Sequence, residues 1–324
     1  ETPIKKLLAN KELDFPFCVC WANENWTRKW DGQDNDIIFQ QHHNDQDDID
    51  FIRSLFPYFS DTRYIRVEGK LMLLIYRTEL FPDINETARR WREEVRKAGL
   101  GELYLVRVES FVAKIDPASI GFDAAVEFAP DWSAMGNTVK VPEIIDEDQN
   151  DMQAYSYETL MQNMLAREPE NYTLFRGVTP SWDNTARRGN NATLFLNSSP
   201  ELYETWLRNI IDQTRVNYKE VEQFVFINAW NEWGEGSHLE PDARYGRQYL
   251  EATKRALDAA APTQKQNLRC KSQNAAKPQL SEGYKNKLNQ EIAIYEHNTD
   301  VHNLPEIHNV YARDLLVPHL TEPT

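Results

Sequence analysis

The chain has 324 residues, 41% hydrophobic and 27% charged, enough to bury a full core as one large domain or two smaller ones. A formal charge of −15 excludes nucleic acid or an anionic membrane surface as the main partner, because phosphate binding needs clustered lysine and arginine. No run approaches the roughly 18 apolar residues of a transmembrane helix, so no membrane span is expected.

Residues 1–13 read as the end of a helix. Nearly continuous apolar runs then predict strands over 15–22, 71–76, 103–108, 124–128, 174–179 and 223–228, the pattern of strands covered on both faces in a parallel sheet. Helices fall between them. Over 84–98, Ala88, Trp91 and Val95 form one stripe that stops at Gly99, a residue suited to a C-terminal cap. Ser199 followed by Pro200 starts a helix whose buried face is Trp206, Leu207, Ile210 and Ile211. Tyr245, Tyr249, Ala252 and Ala256 repeat the pattern in the last unit. Residues 133–157 read as an acidic surface insertion (Glu143, Asp146, Glu147, Asp148, Asp151). After Pro262 the rhythm is lost, so the expected domains are a barrel over 1–262 and a tail, linker or packing arm over 263–324, with one helix possible over 281–295.

Six βα units fit either a (β/α) barrel or a doubly wound sheet. A doubly wound sheet gathers function at one switch point, and no GxGxxG or GxxxxGK[ST] run exists here. Instead almost every predicted strand ends in a polar or aromatic cluster, as in barrels. The expected fold is therefore α/β, a (β/α)8 TIM-type barrel. Since six strands are visible, they are read as strands 3–8, with about two N-terminal βα units missing from the chain.

The last cluster, 226–242 (FINAWNEWGEGSHLEPD), carries the chemistry. Glu232 and Glu235 lie three apart among Trp230, Asn231, Trp233 and His238, and cleaving or forming a glycosidic bond needs such a pair. One carboxyl works as acid or base at the leaving oxygen, the other handles the opposing proton or charge, and indole faces hold the sugar ring. Other strand ends supply candidate sugar contacts: Trp21, Asn23, Glu24, Asn25, Trp26 and Trp30 after the first, Tyr76 after the second, Trp132 after the fourth and Trp182 after the fifth. Arg107 and Glu127 are candidates too, although a buried arginine wants a carboxylate, and Arg77, Arg107 and Arg176 have Glu109 and Glu127 available for an ion-pair network inside the barrel. Asp34-Asn35-Asp36 matches the DxD pattern of metal-dependent transferases but reads as a solvated loop.

Cys18 and Cys20 share a strand face and cannot readily bridge each other, and Cys270 is remote from both. That usage suits a reducing compartment, and no metal spacing appears, so neither a metal nor another cofactor is expected. The chain opens on Glu1 and shows no secretory signal. Its five Asn-x-Ser/Thr sequons are read as chance and the expected location is cytoplasmic.

WANENWTRKWDG (residues 21–32) and NAWNEWGEGSHLEPD (228–242) together resemble the WbsX family of glycosyltransferases, also described as glycoside hydrolase family 99-like. The resemblance spans about residues 1–260. Members usually carry about two further N-terminal βα units, in agreement with the strand count. The family is similar to the endo-α-mannosidases of glycoside hydrolase family 99, retaining (β/α)8 enzymes whose catalytic pair lies in an EWHE-like motif. Glu232-Trp233-Gly234-Glu235 matches that motif except for Gly234 in place of histidine. The resemblance implies that Glu235 is general acid/base at the glycosidic oxygen. Glu232 would deprotonate the sugar 2-hydroxyl, which attacks the anomeric carbon to give a 1,2-anhydro intermediate. It also implies an oligosaccharide or polysaccharide substrate, with a sugar donor if the reaction is transfer, in bacterial O-antigen or capsule metabolism. Transferase and hydrolase both stay open, as does a non-catalytic glycan-binding barrel within a larger polysaccharide-biosynthesis protein.

Overall fold

The computed structural model describes residues 2–28, 33–41, 43–139, 151–260 and 310–311. Helix α1 (Thr2–Ala9) precedes strand β1 (Cys18–Trp21), and a β-hairpin of β2 (Trp26–Arg28) and β3 (Gln33–Phe39) follows. Helices α2 (Asp45–Ser54) and α3 (Phe56–Phe59) lead to β4 (Arg66–Val67), β5 (Lys70–Ile75) and α4 (Ile84–Lys97). Next come β6 (Leu103–Glu109), β7 (Ala124–Glu127), β8 (Gln153–Ser156), α5 (Tyr157–Leu165) and β9 (Leu174–Val178). The chain continues through α6 (Thr185–Arg188), β10 (Thr193–Leu196), α7 (Pro200–Asn217) and β11 (Val225–Ile227). It ends in the small hairpin β12 (Asn231–Glu232) and β13 (Ser237–His238), helix α8 (Gln248–Ala260) and β14 (Val310–Tyr311).

Strands β1, β5, β6, β7, β9 and β11 pair in that order, all parallel, as the six apolar runs predict. β14 pairs antiparallel with β1, and β4 folds back antiparallel on β5. Every residue of β6, β7 and β9 is buried, as required of strands covered on both faces. The helices begin where their caps dictate. Asp83 accepts the Glu86 N–H at the start of α4, and Ser199 accepts the Leu202 N–H at the start of α7, where Pro200 needs no partner. Trp91 on α4 and Trp206 on α7 are fully buried, each burial contributing about 3 kcal/mol of transfer free energy.

The sheet is curled. Tyr104 of β6 and Phe175 of β9 stack at 6.3 Å although β7 lies between them, and Tyr76 and Phe128 approach to 6.0 Å across β6. Strands two apart in a flat sheet stand about 9–10 Å from each other, so these rings lean together over a concave face. The convex face carries the helices. Trp21 shows this directly, stacked at 3.7 Å on Phe51 of α2 and 6.3 Å from Trp91 of α4.

Three features depart from the sequence reading. The polar segment after β1 forms the β2–β3 hairpin, where alternation is too weak to mark strands. Part of the supposed insertion, β8, is a strand paired in parallel with β10, apart from the main sheet; residues 140–150 lie outside the described residues. The arginine–glutamate network exists but lies on the helix side rather than inside the barrel. Arg107 pairs with Glu109 at 3.1 Å, Arg167 joins Glu109 (2.7 Å) to Glu127 (3.3 Å), and Arg176 meets Glu127 at 2.9 Å. Arg176 also donates to the Met164 carbonyl of α5 and to Gln213 of α7, which fixes the side of the sheet. The expected tail, including the possible helix over 281–295, falls outside the described residues apart from β14. Among the described residues, no helix is long and apolar enough to cross a membrane.

Candidate active site

The β12–β13 hairpin hangs from the C-terminal end of β11, with Asn231 opposite His238 and Glu232 opposite Ser237. Its turn is a single 3-10 stretch, Trp233–Glu235, closed by Gly236 in the left-handed region at φ +59°. The neighbouring strand end holds this hairpin in place. Ser237 is buried, donates to the Asn228 carbonyl (2.7 Å) and meets the Thr179 hydroxyl (2.9 Å) at the end of β9. Ser181 donates to the Gly236 carbonyl (2.5 Å), and the Asp183 N–H donates to the Glu235 carbonyl (2.8 Å).

This anchoring presents both glutamates to one cation. Arg187 of α6 donates from Nη1 to Glu235 Oε1 (2.9 Å) and from Nη2 to Glu232 Oε2 (3.4 Å). Because one guanidinium reaches both, those two oxygens lie within roughly 9 Å of each other, inside the span of glycosidase pairs. Between them in sequence, Trp233 is 48% exposed. Its indole N–H donates to Glu240 (2.7 Å) and its ring stacks on His238 at 3.7 Å and 17°, while His238 Nδ1 lies 3.2 Å from the Glu240 carbonyl. A clamped, exposed indole beside two carboxylates can offer a flat face to a sugar ring.

The β1 and β5 ends approach the same rim. Asn23, fully buried, exchanges two hydrogen bonds with the Arg77 main chain (2.7 and 2.8 Å). Arg77 pairs with Glu24 and Glu79, rather than with the Glu109 or Glu127 expected for it, and its guanidinium covers the Phe111 ring at 3.9 Å. Burial, then the charges of Glu24 and Glu235, push the Tyr76 hydroxyl well above its ordinary range, so it stays neutral.

The structure thus brings Glu24, Tyr76, Asn231, Glu232, Trp233, Glu235 and His238 to one mouth, with Trp230 exposed on the same hairpin. Other expected contacts are placed elsewhere. Arg107 (1% exposed) and Glu127 (3%) direct their charged ends into the helix-side network. Trp21 packs against helices, and Trp182 is buried against Trp132 at 5.1 Å, with Trp132 half-buried. Asn23 is a structural clamp. Asn25 accepts the Gln41 N–H (2.8 Å), closing the β2–β3 hairpin onto its start. The Trp26 side chain and Trp30 lie outside the described residues, as do the side chains of Asp34, Asn35 and Asp36.

The profile of the family described as Glycosyltransferase WbsX matches residues 1–253. The chain belongs to the WbsX family. Two curated relatives, both called uncharacterized protein WxcX, come from Xanthomonas campestris pv. campestris strains B100 and ATCC 33913. Each is 40% identical over 260 residues, which is 80% of this chain and 37% of the relative. The chain therefore spans little more than a third of the length of the relatives it matches. Among solved structures, a glycoside hydrolase-like protein is similar with 20% identity and a TM-score of 0.43, over 65% of this chain and 59% of that one. The GH99 endo-alpha-mannosidase from Bacteroides thetaiotaomicron is similar with 13% identity and a TM-score of 0.47, over 68% and 64%.

Sequence reasoning missed Arg187 and Phe111. A signal for Arg187 existed. It lies on the segment after the fifth predicted strand, and in a barrel that segment borders the one after the sixth, where the glutamates stand.

Proposed function

We propose that this WbsX-family chain is a carbohydrate-active enzyme that makes or breaks α-glycosidic bonds in surface polysaccharide metabolism, with Glu232 and Glu235 as its carboxylate pair. One observation carries the reading: both carboxylates converge on a single guanidinium beside the exposed face of Trp233. A glycan laid on that indole brings its glycosidic bond to the pair. Glu235 protonates the departing oxygen while Glu232 takes the 2-hydroxyl proton, and the 2-oxygen closes on the anomeric carbon. Water or an acceptor hydroxyl then opens that ring, losing its proton to Glu235, while Glu232 returns its proton to the 2-oxygen. Two displacements retain configuration. Tyr76, a neutral donor, and Asn231 supply hydrogen bonds to the sugar. Among the described residues, the rim cations Arg77 and Arg187 are both engaged by carboxylates, which favours a glycosyl donor without a diphosphate. The same reading extends the six-strand sheet to a (β/α)8 barrel.

The test is Glu235→Gln, assayed for release of reducing sugar from a panel of α-linked oligosaccharides together with binding of the same glycans. Turnover should fall at least about a hundredfold with binding preserved. Binding by a wild type that turns over neither glycans nor activated donors would instead favour a non-catalytic glycan-binding barrel.

A further inference from the structure

We propose that Arg187 is the positioning residue of this site. It holds the Glu232 and Glu235 carboxylates in one arrangement, and Gly234 is the gap that admits its guanidinium. The inference rests on the reading of that pair as catalytic, but its own support is geometric. Two carboxylates three residues apart on one tight turn repel each other, and a cation between them offsets that repulsion. The planar fork of arginine is the cation shape that can bond both at once, and Arg187 does so at 2.9 and 3.4 Å. Its backbone is registered to theirs. The Arg187 N–H donates to the Asn184 carbonyl (3.0 Å), and the adjacent Asp183 N–H donates to the Glu235 carbonyl (2.8 Å). Guanidinium and carboxylates are thus carried by two segments already tied together.

Gly234 completes the arrangement. Its φ is not among the positive values of this chain, so the backbone there does not call for glycine. Space does. A Cβ at 234 would lie 2.8 Å from Arg187 Nη2, 3.1 Å from Nε and 3.3 Å from Cζ. Because those atoms are the tip of a flexible side chain, a methyl group there displaces the guanidinium and leaves the hairpin folded. Residue 234, where the related mannosidase motif carries histidine, is in this chain the space occupied by a cation from the preceding strand end. Arg187 acts through the glutamates, so its loss should appear in turnover and not in substrate affinity.

The experiment compares wild type, Arg187→Met, Arg187→Lys, Gly234→Ala and the Arg187→Met/Gly234→Ala double variant. It uses whichever α-linked oligosaccharide the wild type cleaves, and follows the carboxyl-carbon NMR resonances of Glu232 and Glu235, assigned through their glutamine variants. The expected result is a loss in kcat of tenfold or more for Arg187→Met with KM changed less than threefold. Arg187→Lys, which keeps the charge but not the fork, should recover only part of that loss, Gly234→Ala should match Arg187→Met, and the double variant should be no worse than either. Both carboxyl resonances should move in Arg187→Met and in Gly234→Ala. Wild-type kcat in Arg187→Met, equal losses for lysine and methionine, or a rise in KM at constant kcat would overturn the proposal. Should the wild type cleave no glycan, the catalytic reading fails on its own. The resonances still decide the pairing: unmoved signals in both single variants overturn it.

Discussion

Gly234 and Gly236 stand two residues apart and are glycine for different reasons. Gly236 has φ +59°, and a Cβ there would also press to 2.6 Å on the Asp183 carbonyl oxygen, a backbone atom that cannot step aside. Gly234 meets only the end of Arg187. Gly236→Ala should therefore cost about 2 kcal/mol or more of stability, whereas Gly234→Ala should cost less than about 0.5 kcal/mol. Urea unfolding midpoints measure both, and equal midpoints would show that the close approach at Gly236 is not as described. From sequence the two glycines looked alike, as breakers after a strand. Separating them needs the neighbouring loop, which lies some fifty residues earlier in the chain. The tryptophans were legible only as a group. Trp230 and Trp233 face solvent beside the carboxylates, while Trp21, on the helix-facing side of β1, and Trp182, packed on Trp132, fill cores.

At the scale of elements, Arg63 anchors the end of α1, whose Leu7 and Leu8 pack on the core. Arg63 donates to the carbonyls of Leu7, Asn10 and Leu13 near the C-terminal end of α1, where unsatisfied carbonyls collect. Asp61, almost fully buried, holds that guanidinium at 2.9 Å and also binds Lys11. Hydrogen bonds from Arg63 are the main cause that depresses the Asp61 carboxyl below its usual range. A depressed folded pKa means stability that is complete above the unfolded carboxylate value and is lost as pH falls through the folded one. The wild type should thus lose stability progressively below about pH 4, and Asp61→Asn should flatten that acid limb. At pH 7 the same variant should be destabilised by about 3 kcal/mol, since it leaves Arg63 uncompensated. Thermal melts across pH 2–7 read both effects, and an unchanged acid limb would remove Asp61 from the account.

The six main strands and helices α4, α7 and α8 were readable because each is a long apolar run or stripe, with explicit caps on α4 and α7. The β2–β3 hairpin and the β8–β10 pair were not, because their apolar stretches are only two or three residues long and their pairing is set by tertiary contact. Arg107, Glu109, Glu127 and Arg176 were recognisable as partners by charge alone. Their side of the sheet was not, since a fully buried strand shows no alternation to mark inside from outside.

At the scale of the molecule, a strongly acidic chain curls a parallel sheet so that the ends of β1, β5, β9 and β11 share one mouth. Strand order does the work that sequence distance hides. β9 and β11 are neighbours, so the loops carrying Arg187 and the two glutamates meet. Whatever the longer relatives add, the carboxylate pair and its cation are contained in this chain.

The central claim is that the two glutamates are catalytic and have unequal roles. It is tested most directly with an α-glycosyl fluoride of the sugar that the wild type cleaves. Fluoride departs without protonation, so the account predicts that Glu235→Gln keeps kcat/KM for fluoride release, which stops at the first displacement, within about tenfold of wild type while losing it for the glycan. Glu232→Gln, deprived of the base that generates the attacking oxygen, should lose both. Equal behaviour of the two variants on both substrates would contradict the assignment.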